Sequence, residues 1–204
     1  MSGADWDARI ASWSTALLAL CGVMAVAGLV LPSPAVEAAP VPGYSPMAAP
    51  AKPVRLVVPA LKIRAPILPI EVNAQAVLDP PRNPRDVGWW KRSARAGSPT
   101  GQTVLTGHTV HTGGGVMDRL GKLRKGQLVR VVTPQGTMTY STTRVVTWTK
   151  AQLAKRAVSI FAQERRDGRL VLITCTGWTG RDYTSNIVVF AKPLGVREKA
   201  EAAA

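Results

Sequence analysis

Cysteine is almost missing from this chain of 204 residues, which holds only Cys21 and Cys175. The two fall in regions of such different character that no disulfide is expected between them, so cysteine pairing says nothing about compartment. Histidine is as scarce, with His108 and His111 alone. Two cysteines and two histidines in this arrangement make no zinc set, and no metal is expected. Acidic residues are few, 12 against 26 Lys and Arg, giving a formal charge of +14. Residues 148–169 contain no acidic cluster of the kind that calcium requires. No loop has the sequence of a phosphate cradle either: Gly113-Gly114-Gly115 lacks a following Lys-Ser or Lys-Thr and opens no convincing helix. No internal repeat is present, and helical periodicity is sparse. The basic excess suits polyanionic surroundings such as nucleic acid, an anionic membrane or an anionic wall, without choosing among them.

Long uncharged runs are also rare, with one exception. Trp13 to Leu31 carries no charge and has about the length needed to cross a bilayer as a helix. It is longer than a usual signal-peptide core, so residues 13–31 are expected to form an uncleaved anchor containing Cys21, with residues 1–12 in the cytoplasm. Residues 32–53 then interleave prolines with alanines and small residues, a composition that holds neither a helix nor a central strand and predicts a semi-extended spacer. The domain proper is expected over 54–194, followed by a tail at 195–204.

Within that domain the texture is short β-type runs between turn residues. The runs are Val54–Val58, Ile67–Val72, Gln102–Gly107, Leu128–Thr133, Thr137–Trp148, Leu170–Thr174 and Asn186–Ala191. Seven or eight strands in a domain of this size predict an all-β fold, a closed barrel or a sandwich. Pro134 and Gly136 mark a hairpin between two of the runs. Val116 to Leu123 and Lys150 to Gln163 are the helical candidates, the second reading as a solvated helix over the barrel.

The stretch Arg169–Trp178 organises the chemistry. It starts after the turn signal Asp167-Gly168, runs through the apolar residues Leu170 to Ile173, and reaches Cys175 just past them. Free cysteine is often an inert core residue. A thiol becomes a useful nucleophile when a base from elsewhere in the chain favours the thiolate, and His108, at the end of the run Gln102–Gly107, is placed to be one. His111 lies in a Gly-rich turn and is expected to be exposed and structural. Acyl transfer also needs a donor for the oxyanion. The Thr176 amide, Arg181 and Asn186 follow Cys175 closely enough to be candidates.

These residues carry a resemblance. An N-terminal anchor, a Pro-rich spacer, Leu105-Thr106-Gly107-His108, Leu172-Ile173-Thr174-Cys175 and the closing strand Asn186–Ala191 together resemble a sortase, the cysteine transpeptidases of Gram-positive envelopes. Asp86-Val87-Gly88-Trp89-Trp90 is similar to the segment before the histidine in actinobacterial class E and F members. The resemblance covers roughly residues 54–194 and implies a sortase-type barrel of about eight strands. It implies that Cys175 attacks the carbonyl of an LPxTG-like C-terminal sorting signal to form a thioester. His108 would protonate the departing amine and deprotonate the incoming one. The implied partners are secreted proteins bearing that signal, a peptidoglycan-precursor amine such as that of lipid II, and the membrane through the N-terminal helix, with no nucleic acid and no cofactor. The catalytic domain would face the extracellular side. The family's arginine on the last strand is replaced by Asn186, with Arg181 five residues earlier as the alternative, and Thr174 adjoins the site. Two other readings compete: a non-enzymatic basic β-domain that binds wall polyanions, and an L,D-transpeptidase-like Cys/His enzyme.

Overall fold

The computed structural model describes residues 41–74 and 77–198. The expected anchor and the cytoplasmic segment lie outside the described residues, as do the first part of the spacer and the last residues of the tail. Among the described residues no helix is long and apolar enough to cross a membrane.

Nine strands form one sheet: β1 (Tyr44–Ser45), β2 (Arg55–Val58), β3 (Ile63–Ile70), β4 (Val87–Trp90), β5 (Gln102–Gly107), β6 (Leu128–Thr133), β7 (Gly136–Thr149), β8 (Arg169–Trp178) and β9 (Tyr183–Arg197). The order β9-β7-β6-β2-β3-β4-β5-β8 returns to β9, so eight strands close a barrel and leave β1 appended to the far end of β9. Closure removes the exposed sheet edges that would otherwise invite pairing with other chains. Two neighbouring pairs, β3–β4 and β5–β8, are parallel. The long strands β7 and β9 bend through register shifts near Thr139 and Thr142, which lets one strand serve two neighbours.

Side-chain alternation divides the strands into two apolar layers. Leu56, Val58, Leu105, Leu172, Val189 and Tyr140 fill the barrel interior. Val104, Val171, Ile173, Val188 and Phe190 point outward into a second cluster. That cluster is covered by two short helices, α1 (Lys150–Lys155) and α2 (Ala157–Phe161), through Leu153, Ile160 and Phe161. Strands buried on both faces read as unbroken apolar runs, which explains the sequence of β5 and β8. The interior burial is complete for Leu105 and Leu172, each with no exposed surface.

The expected single helix over Lys150 to Gln163 is two, because Arg156 leaves helical geometry between them. A capping box starts α1, in which Thr149 accepts from the Gln152 amide and the Gln152 side chain accepts from the Thr149 amide. Arg156 then lies over the Trp148 ring, 4.9 Å from its centroid. The α2 end is fastened to the barrel by Gln102, a fully buried side chain whose Nε2 donates to the Ala162 carbonyl at 2.7 Å. The helical candidate Val116 to Leu123 is only a 3-10 turn at Leu120–Lys122.

Three other expectations shift. The second half of the expected spacer does not stand off: β1 pairs with β9, Met47 enters the interior, and Ala51 bridges Ala96. Its prolines prevent a helix, but an edge strand needs few donors, so the same composition lies flat on the barrel. Residues 195–197 of the expected tail complete β9. Strand β8 also continues three residues past Cys175, because Thr176 and Trp178 pair with Ser185 and Tyr183.

Candidate functional site

Cys175 is the seventh residue of β8, half-buried on the outer face of the barrel, and is a free thiol. It follows Ile173, which packs in the outer cluster, by two residues, and therefore shares that face. The parallel register of β5 and β8 sets Thr106 beside Ile173. Cys175 lies two residues beyond Ile173, and His108 follows β5 directly after Gly107, so both residues lie at the same end of the pair. The sequence places these residues far apart, and the parallel pairing joins them.

His108 is held from behind. Its Nε2 lies 2.8 Å from the carbonyl oxygen of Pro81. A carbonyl only accepts, so Nε2 carries the proton in this contact, and Nδ1 of the neutral ring is left as the basic atom. Pro81 reaches this position because Gly88 has no side chain: a Cβ there would stand 3.1 Å from the Pro81 ring and collide with Ile70. The glycine in Asp86-Val87-Gly88-Trp89-Trp90 thus acts on the histidine through the proline.

Thr174 ties the two strand ends together. Its hydroxyl donates to the Gly107 carbonyl at 2.8 Å and receives the Thr109 hydroxyl at 2.8 Å. One buried side chain therefore grips the residues on either side of His108. The loop beyond is closed by Asp118, whose carboxylate accepts from the amides of Val110 at 2.7 Å and Gly115 at 3.0 Å. The Met117 amide returns to the His108 carbonyl at 3.0 Å.

Across the β8–β9 ladder, Asn186 is the direct partner of Cys175. Its Nδ2 donates to the Thr174 carbonyl at 3.3 Å and lies 3.9 Å from the thiol sulfur. Arg181 is exposed in the tip between Trp178 and Tyr183, which are themselves paired. Of the two candidates for the missing arginine, the fold brings Asn186 to the sulfur and leaves Arg181 at the hairpin tip. Burial pushes the Cys175 thiol above its ordinary pKa. Lys150 opposes the shift, while Asp182 and Asp79 add to it. Lys150 and Asp182 also pair with each other at 2.9 Å, so the two opposing charges act on the thiol together.

His111 is exposed, as expected, yet its ring stacks on Trp178 with centroids 4.1 Å apart and planes 5° from parallel. Tyr183 continues this aromatic surface, its ring centroid 5.0 Å from that of Trp178. Sequence reasoning missed the Pro81 contact, the Thr109–Thr174 link, Asp118 and Lys150. All but the Asp118 contacts join distant segments, and the capping-box pattern at Thr149 was the one local signal beside Lys150.

Comparison with known proteins agrees with this geometry. Residues 56–194 match the sortase domain family model. Among solved structures, sortase C-1 from Actinomyces oris is similar at 20% identity, covering 72% of this chain and 75% of that one, with a TM-score of 0.54. Sortase C1 from Streptococcus suis is similar at 18% identity, over 75% of this chain and 77% of that one, with a TM-score of 0.56. A sortase D5 transpeptidase from Clostridium perfringens is similar at 14% identity, over 71% and 79%, with a TM-score of 0.54. No curated protein matches the chain. At these identities the solved structures speak for the fold, a closed eight-stranded barrel with few short helices, and the family model covers most of the chain. The chain belongs to the sortase family of cysteine transpeptidases.

Proposed function

We propose that this chain is a membrane-anchored sortase, nearest to class F, whose domain faces the extracellular side. It cleaves an LPxTG-like C-terminal sorting signal through a thioester on Cys175 and transfers the protein to a cell-wall amine of a lipid II-like peptidoglycan precursor. The observation that supports this reading is the parallel register of β5 and β8, which brings the segment followed by His108 alongside the strand that carries Cys175, inside the matched domain. The class F assignment rests on Asp86-Val87-Gly88-Trp89-Trp90, and the anchor on the uncharged run Trp13 to Leu31.

In the reaction, the Cys175 sulfur attacks the peptide carbonyl carbon as its proton passes to His108. The C–N bond breaks, His108 returns that proton to the departing amine, and a thioester remains. The incoming amine then attacks the thioester, loses a proton to His108, and forms a new amide while the thiol is regenerated. Asn186 Nδ2, between the Thr174 carbonyl and the sulfur, is the side-chain donor best placed for the transient oxyanion, and the Thr176 amide is the backbone one. Arg181 serves the site only if the hairpin tip folds inward.

Incubating the full chain with a small set of LPxTG-like peptides and an amine acceptor, and reading products by mass, tests the reading. Cleavage with a covalent adduct on Cys175, lost in Cys175→Ala at unchanged thermal stability, is expected. A wild-type chain that forms neither product nor adduct with any peptide would sink it and favour a wall-binding role.

A further inference from the structure

A concave surface other than the Cys175 site lies beside the loop that follows His108. A cleft of about 370 Å³ is lined by Leu61–Ala65 of β3 and the turn before it, by Arg85, and by Gly115, Val116, Asp118 and Arg119. Four cations border it: Lys62, Arg64, Arg85 and Arg119. All four are exposed, and none takes part in an ion pair among the described residues. The one carboxylate present, Asp118, is already committed to the amides of Val110 and Gly115. Four cations against that carboxylate leave three positive charges in excess.

Like charges gathered around one cleft repel unless an anion is bound among them. The cluster is also built from three separate chain segments, so it does not follow from one basic run. Lys62 occupies the left-handed region at φ 56, where its amide closes the turn at Pro59. That conformation is uncommon for a side chain of this size and fixes one wall of the cleft. Alternation along β3 leaves Arg64 exposed while Ile63 and Ala65 enter the core, and Lys62 is exposed in the turn before the strand.

We propose that this cleft binds a diphosphate group. Guanidinium forks match phosphate oxygens two at a time, and cations arriving from several directions suit an anion with oxygens on more than one face and more than one charge. A monophosphate would leave part of the excess uncompensated. The floor of the cleft is the loop that follows His108, since Met117 returns to the His108 carbonyl, so a bound anion rests on the segment that carries the histidine. The proposal goes beyond the transpeptidase reading and stands without it.

Calorimetric titration of the full chain in nonionic detergent tests it, at about 0.15 M salt so that diffuse attraction is screened beyond about 8 Å. Inorganic pyrophosphate, inorganic phosphate and glycerophosphoglycerol, a soluble phospholipid headgroup, are the three probes. Saturable pyrophosphate binding at one site is expected, tighter than either other probe. Arg64→Glu and Arg119→Glu should each weaken it by about tenfold or more, as loss of charge-assisted hydrogen bonds does, whereas Arg166→Glu, outside the cleft, should leave it unchanged. If either Glu variant melts early, Arg64→Gln and Arg119→Gln take its place. Absent saturation, or equal weakening by Arg166→Glu, overturns the site. Tighter binding of the headgroup overturns the diphosphate assignment in favour of a lipid phosphodiester, and equal binding of inorganic phosphate overturns it in favour of a monophosphate.

Discussion

Asn186 stands directly across the β8–β9 ladder from Cys175, with its amide nitrogen 3.9 Å from the thiol sulfur. A neutral donor therefore occupies the position where the family resemblance leads one to expect a guanidinium. Its other contact, to the Thr174 carbonyl, fixes the orientation of the amide. Asn186→Ala is expected to lower kcat about 10²–10³-fold with little change in KM, as loss of one oxyanion donor does. Arg181→Ala should leave kcat nearly unchanged. Peptide-cleavage kinetics of the two variants check this, and the reverse ranking would transfer the role to the hairpin tip.

Thr174 joins the histidine segment to the cysteine strand through Gly107 and Thr109. Thr174→Val keeps the shape and removes both bonds, leaving a buried carbonyl without its partner at a cost of about 1–3 kcal/mol. Thermal or denaturant unfolding should show that loss, accompanied by a fall in kcat. Thr174→Ser, which retains the hydroxyl, should recover most of both. A stable Thr174→Val chain with full kcat would mean that the strand pairing alone positions His108.

The Cys175 thiol is raised chiefly by burial, so at neutral pH it is held mostly protonated. Alkylation by iodoacetamide should therefore be slow near pH 7 and rise about tenfold per pH unit until the thiol ionises. Removing the cation in Lys150→Gln should push the thiol higher and shift the profile to higher pH. Asp79→Asn should shift it lower. Because the folded-state value lies above the unfolded one, ionisation favours unfolding, and this group's contribution to stability declines as pH rises past the ordinary thiol value. A profile that does not move in either variant would show that desolvation alone sets the thiol.

Gly115 lies against the chain that carries the histidine. A Cβ there would stand 2.7 Å from the His108 carbonyl oxygen, 2.8 Å from the Val110 nitrogen, and in collision with Asp118. Gly115→Ala is expected to displace the loop, destabilise the chain by about 1–3 kcal/mol as overpacking does, and reduce kcat. Gly113→Ala, where nothing lies within 4 Å, is a useful contrast. Its cost should come from backbone conformation alone, since its φ is 92. Melting curves and kinetics of the pair separate the two effects.

Much of the barrel is legible along the chain. Gln102–Gly107 and Leu128–Thr133 form strands over the expected residues, and Thr133 pairs with Gly136 around Pro134 and Gln135 as the turn residues predict. Runs buried on both faces give a strong local signal. The strand Val87–Trp90 was not among the expected runs, being short and interrupted by Gly88. The extension of β8 past Cys175 was hidden because Thr176-Gly177 has the composition of a loop. Pairing with Ser185 and Tyr183 overrides that local preference.

The sequence by itself singled out Cys175 and His108 as the candidate pair, because each follows an apolar β-run. It also determined the all-β class, since alternation and turn residues are local properties. Only the tertiary structure decided that the ends of β5 and β8 meet, because their parallel pairing is a contact between segments far apart in the chain. The same holds for the Pro81 carbonyl that sets the histidine's protonated nitrogen, for Asn186 at the sulfur, and for the four cations around the second cleft. Register, closure and charge convergence arise from packing distant segments together, and no periodicity along one segment encodes them.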